Sequence, residues 1–266
     1  MDHISIEKCS ENSLYEVQVR SDIGGRIEQQ DSAYVYTASN IAFALVCDGM
    51  GGTDHGALAS QMATDGGRDR LYMYLSEQSR NKIPDFLLDT LVELDGIVSC
   101  KLGRQKGGST AVGVFLKESE LYWFSAGDSR LYIFRNGELV QATRDHNYRL
   151  RLSEQLEKGE IDQAYFDQEI ARGEALISYL GVGGLSVFDL TNVPLELMEG
   201  DILLLTTDGL YKAIPQELIR HILSSAASVE KMADKLLAQI QVLKKTIALD
   251  NTTYVLIRIN AKGEPK

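Results

Sequence analysis

Five aspartates in this chain of 266 residues stand against apolar runs. Asp48 follows the run IAFALVC and leads into Gly-Met-Gly-Gly, and Asp208 follows ILLLTT and leads into Gly-Leu. Asp128 comes after LYWFSAG, Asp250 opens DNTTYVLIRI, and Asp31 closes GGRIEQQD just before SAYV. Carboxylates at strand ends can converge above a sheet edge, where they repel one another and raise each other's pKa unless a cation neutralises them. Five together imply a metal. Oxygen would be the donor throughout: the four histidines (His3, His55, His146, His221) show no HExxH or related spacing, so the expected ions are hard, Mg²⁺ or Mn²⁺ rather than zinc. Gly49 and Gly209, each following an acid, would let backbone or water approach the ion where a Cβ would obstruct it. A single Asp-Gly is more simply a turn, because Asp tolerates left-handed geometry and Gly prefers it. The repeated choice of Asp after wholly apolar runs favours a site.

To bring these acids together the chain needs strands that end near one another. Apolar or alternating runs predict strands at 15–20, 33–37, 41–47, 110–116, 121–125, 130–134, 201–206 and 253–259. Helical patterns cover Gly56 to about Ser79, Pro84 to about Leu102, Tyr148 to about Glu157, Pro215 to Leu223 and Ser228 to about Lys244. KESE and the Asn-Gly of RNGE read as hairpin turns. Sequence-neighbouring strands therefore pair antiparallel, and helices grouped in pairs predict an α+β architecture over a doubly wound parallel sheet.

The chain carries 27 Lys and Arg against 38 Asp and Glu, a formal charge of −11, which argues against nucleic acid as a partner. Three scattered cysteines (Cys9, Cys47, Cys100) form no CxxC pair and suggest reduced thiols. A polar amino terminus and the lack of a membrane-length apolar stretch give the expectation of a cytoplasmic protein without membrane attachment. With no repeat, low-complexity segment or Pro-rich linker, residues 1–266 are expected to form a single domain. No Cys-x5-Arg loop exists, since Tyr15, Thr53 and Lys106 stand six residues after the three cysteines, and there is no Asp-x-Asp-x-Thr or P-loop motif.

The ordered set GGRIEQQD, VCDGMGG, GGST, GDSR, TTDGL and DNTT resembles the PP2C (PPM) family of metal-dependent protein serine/threonine phosphatases in its short bacterial form, with coverage from about Arg20 to Ile259. The resemblance implies a four-layer α-β-β-α sandwich of two antiparallel sheets flanked by pairs of helices, with its core over about 20–260. It also implies that Asp48 bridges two Mn²⁺ or Mg²⁺ ions, with the Gly49 carbonyl as a further ligand. Asp208 and Asp250 would complete that centre, Asp31 and Gln30 would hold water ligands behind it, and Asp128 with Asp208 would bind a third, weaker ion. Arg26 matches the arginine that grips the substrate phosphate, a task suited to a planar guanidinium fork; standing alone, it would read as a surface charge on a loop. Two ions sharing a carboxylate sit about 3.5–4 Å apart, acidify water and offset phosphate charge. The substrates implied are phosphorylated proteins, with a cognate protein kinase as counterpart.

Three features depart from the family pattern. Thr53 stands where the family usually has a histidine suited to protonating the leaving alkoxide; His55 lies two residues on, where an exposed histidine at a helix start is the commoner reading. Gln29 replaces the usual Asn, and Gln30 is the neutral alternative to Glu. Residues 144–181 fall where the family carries its variable flap, either a substrate element or a solvated helical insertion. Two other readings stay open: a pseudophosphatase serving as a regulatory binding module, which the intact acids oppose, and a metal-dependent hydrolase of another phosphoester.

Overall fold

The computed structural model describes residues 4–8, 14–51, 55–76, 82–103, 107–225 and 228–260. In chain order its strands are β1 (Ile4–Lys8), β2 (Tyr15–Asp22), β3 (Asp31–Thr37), β4 (Ile41–Met50), β5 (Gly108–Ser109), β6 (Ala111–Lys117), β7 (Glu120–Ala126), β8 (Arg130–Arg135), β9 (Glu138–Gln141), β10 (Asp189–Leu190), β11 (Leu195–Glu196), β12 (Ile202–Thr206) and β13 (Thr252–Ile259). The α-helices are α1 (His55–Ser76), α2 (Ile83–Leu102), α3 (Tyr148–Glu157), α4 (Gln163–Glu169), α5 (Asp208–Tyr211), α6 (Gln216–Ser225) and α7 (Val229–Leu243).

Two sheets result. One runs β1-β3-β4-β6-β7-β10, with β5 on β4 and β11 on β7; the other runs β2-β13-β12-β8-β9. Among the described residues every pairing is antiparallel apart from β1 with β3. The Asn-Gly turn predicted at RNGE has positive φ at both Asn136 (52°) and Gly137 (85°), as a type I′ hairpin demands.

Alternation along the central strands sorts side chains between two buried faces. In β4, Phe43, Leu45 and Cys47 pack toward α1 and α2, while Ala42, Ala44 and Val46 face the second sheet. Facing them are Leu203 and Leu205 of β12 and Val255 and Ile257 of β13; the intervening Leu204, Tyr254 and Leu256 pack against α6 and α7. Three hydrophobic layers thus separate four structural layers, the α-β-β-α sandwich expected from the sequence. Rings fill the first of them: Tyr74 stacks on Phe86 at 4.4 Å and meets Phe115 edge-on at 5.6 Å.

Two boundaries differ from those read in the sequence. β4 does not stop at Asp48 but continues to Met50, because Asp48 pairs with Asp31 on β3 while Gly49 and Met50 pair with β5. Asp208 does not cap β12 directly; the strand ends at Thr206 and Asp208 opens α5.

Candidate metal centre and its cleft

The ends of both sheets open onto one cleft of about 880 Å³. Asp48, Gly49, Asp128, Asp208, Asp250, Gln30 and Arg26 all line it, so seven of the eight residues singled out from the sequence are brought together. The eighth, Asp31, lies buried behind it.

Asp31 and Asp48 are register partners across β3 and β4. Thr207 joins this pair to the other sheet: its hydroxyl donates to Asp31 Oδ2 at 2.9 Å and accepts from the Thr253 amide at 3.0 Å. Asp48 is anchored through its backbone, its amide donating to Thr110 Oγ1 and its carbonyl accepting from the Thr110 amide. Thr110 in turn bonds Ser129 at 2.6 Å, which ties β4 to the GDSR turn that carries Asp128.

Glycine is required after Asp48 and Asp208 for a reason other than ion access. A Cβ on Gly49 would lie 2.1 Å from the Gly56 carbonyl oxygen at the start of α1, and one on Gly209 would lie 2.0 Å from the Asn251 carbonyl oxygen. The two Asp-Gly pairs let a helix end close against each acid-bearing segment.

Asn251 holds the loop that carries Arg26. Its side-chain oxygen accepts from the Gln30 amide at 2.8 Å, and its amide group donates to the carbonyls of Ile23 and Glu28. Gly24 passes so close to the Asp250 carbonyl oxygen that a Cβ would stand 2.2 Å away. Arg26, with a side chain 59% exposed, reaches across to Asp250 Oδ2 at 2.5 Å.

The electrostatics are those of crowded acids. Burial above all, then Asp208 and Asp250, push the Asp31 carboxyl up to about 7 against the opposing hydrogen bonds of Thr207 and Thr253. Burial and then Asp31, Asp208, Asp128 and Asp250 raise Asp48 well above the usual carboxylate range. Asp128 is raised by burial and by Asp208, with Lys212 working against both.

Among the described residues no group of three or more His, Cys, Asp or Glu side chains is gathered closely enough to hold an ion as it stands. Three of the acids bond the protein's own cations instead: Asp250 to Arg26, Asp208 to Lys212 at 2.6 Å, and Asp128 to Lys212 at 3.5 Å. The fit to a pair of divalent cations rests on donor chemistry. Asp31 Oδ1 and Asp208 Oδ1 are buried oxygens with no hydrogen-bond partner, and Asp48 is a half-buried acid surrounded by like charge; both conditions are costly unless a cation compensates. The third ion implied at Asp128 and Asp208 does not fit in the same way, since an ammonium already bonds both.

The family model for Protein phosphatase 2C matches residues 20–152, half of the chain. The chain belongs to that family. The serine/threonine phosphatase stp of Listeria welshimeri is 28% identical over 243 residues, 90% of each chain, and the protein phosphatase PhpP of Streptococcus pneumoniae is 27% identical over 253 residues, 92% of this chain and 98% of that one. The serine/threonine phosphatase of S. agalactiae shares the fold at a TM-score of 0.76 with 24% identity, covering 92% of this chain and all of the other. So does the catalytic domain of the phosphatase PstP solved with two manganese ions, at a TM-score of 0.70, 24% identity, and coverage of 92% and 98%.

Lys212, Asn251, Thr110 and Thr207 were not found from the sequence. Lys212 carries no motif signal, and the other three lie inside the GGST, TTDGL and DNTT stretches without being singled out by them. Thr53 lies outside the described residues. His55 opens α1 but does not line the cleft, and neither does His146, which is buried with Nε2 3.4 Å from Asp189 Oδ1. Two residues of the 144–181 segment, Glu174 and Leu176, do line the cleft. No helix among the described residues is long and apolar enough to cross a membrane.

Proposed function

We propose that the chain is a protein serine/threonine phosphatase that hydrolyses phosphoserine and phosphothreonine on other proteins, releasing inorganic phosphate and the free hydroxyl. The observation that carries this is the convergence of Asp48, Asp208 and Asp250 from both sheets on one cleft, with unpartnered buried carboxylate oxygens on its floor and Arg26 at its rim.

Asp48 with the Gly49 carbonyl, Asp208 and Asp250 would hold two divalent cations, Mn²⁺ or Mg²⁺ because every donor is oxygen, with Asp31 and Gln30 behind them. When bound, the cations supply the charge that lets the acids ionise together, acidify water and offset the phosphate. Arg26 exchanges its exposed bond to Asp250 for two phosphate oxygens, orienting the monoester. Glu28 and Glu174 give the rim negative charge, which favours substrates with basic residues beside the phosphorylated one. Residues 20–260 act as one phosphatase domain with 144–181 as a flap shaping access, and a kinase acting on the same proteins is the natural counterpart.

The test is phosphate release from a phosphothreonine peptide with Mn²⁺, with EDTA, and by Asp208→Asn. Release by the wild type, falling by at least about 10²-fold in the other two, is expected. Metal binding without any release by the wild type would instead indicate a pseudophosphatase.

A further inference from the structure

The gap between Asp128 and Asp208 is spanned by a side chain. Asp208 begins α5 and Lys212 follows it by four residues, so one helical turn stacks the lysine over the acid. Its Nζ lies 2.6 Å from Asp208 Oδ2 and 3.5 Å from Asp128 Oδ2. The gap is also fixed in width. The Tyr211 hydroxyl donates to the Asp128 carbonyl at 3.0 Å, and its ring lies 3.5 Å beneath the Arg130 guanidinium, which Asp145 grips with both oxygens at 2.8 and 2.6 Å. These contacts lock α5 against the turn that bears Asp128.

A divalent cation sharing the two carboxylates would bind their oxygens at about 2.0–2.1 Å, as Mg²⁺ does. At that distance it would crowd an ammonium hydrogen-bonded to the same Oδ2 and repel it as a like charge. An ordinary lysine ammonium is charged at neutral pH, so the repulsion needs no help from the site. Asp208 thereby divides its work, with Oδ2 committed to Lys212 and Oδ1 buried without a partner.

We propose that Lys212 takes the place of the third, weaker divalent ion between Asp128 and Asp208, so that this chain binds two such ions. The inference rests on the phosphatase reading above, since it concerns the same centre. Lys212 is here a structural cation, and what it controls is metal stoichiometry.

Equilibrium dialysis of the full chain against Mn²⁺ up to millimolar concentration, with the bound metal counted, tests this. The expected counts are two for the wild type and for Asp128→Asn, three for Lys212→Met, and two again for Lys212→Met with Asp128→Asn. A wild type that binds three ions and loses one in Asp128→Asn would overturn the proposal, as would a Lys212→Met protein with wild-type thermal melting that still binds two. The first of those results, found alongside Mn²⁺-dependent phosphate release, would leave the phosphatase reading standing. A wild type that binds no Mn²⁺ and releases no phosphate would remove that reading and this inference together.

Discussion

Asn251 sits beside an acid of the centre yet works entirely on the neighbouring loop. Three hydrogen bonds from one buried amide hold Ile23, Glu28 and Gln30 in place, and Arg26 lies between those anchor points. Asn251→Ala removes all three bonds, leaving the Ile23 carbonyl only its bond from the Arg26 amide, and is expected to cost roughly 2–3 kcal/mol of stability. Because the freed loop carries Arg26, KM for a phosphopeptide should rise more than kcat falls; chemical denaturation and steady-state kinetics on one preparation read both effects. Repetition along the chain revealed the acids, since Asp recurs beside one apolar run after another. It could not reveal Asn251, whose role depends on a loop more than 220 positions away, nor Lys212, whose partner Asp128 sits in the turn between β7 and β8.

At the scale of elements, the segment after the flap is tied to the first helical layer by one acid. Asp95 of α2 is buried and accepts hydrogen bonds from the amides of Gly181, Gly183 and Gly184 at 2.7, 3.2 and 2.6 Å. The same stretch pairs with the cleft edge, where Ser109 and Leu180 exchange amide–carbonyl bonds. Asp95→Ala removes a charged acceptor of three donors and should destabilise the protein by roughly 3 kcal/mol. Amide exchange at residues 181–184 should accelerate ahead of exchange in β4 and β12. Hairpins and helix pairs were legible because their signals are local: an Asn-Gly turn, a Pro at a helix start, alternation within one strand. Where pairing decided the outcome the sequence was silent. Asp and Gly read as the end of β4, but the strand continues because β3 and β5 supply partners, and β1 joins the edge in parallel with only five residues to announce it.

For the molecule as a whole, the crowded acids set how stability responds to pH. Asp31 is pushed up to about 7 by burial first and its acidic neighbours second, and Asp48 is raised for the same reasons. A carboxyl whose folded pKa lies above its unfolded value of about 3.9 favours the fold fully below that value. That contribution is lost as pH rises through the folded pKa. In EDTA the thermal midpoint should therefore fall between about pH 4 and pH 7, while saturating Mn²⁺, by binding the ionised acids, should flatten the decline. A midpoint in EDTA that rises across this range would contradict the crowding described here.

Strand β13 lies between β2 and β12 in the middle of its sheet, and Asp250 immediately precedes it. On the proposed assignment the segment that supplies Asp250 is thus also the keystone of one whole layer. A nascent chain that has reached only residue 249 has neither the acid nor the strand that holds β2 beside β12. On that assignment a chain cut before residue 250 is expected to release no phosphate, because it loses a metal ligand and the pairing of its second sheet together.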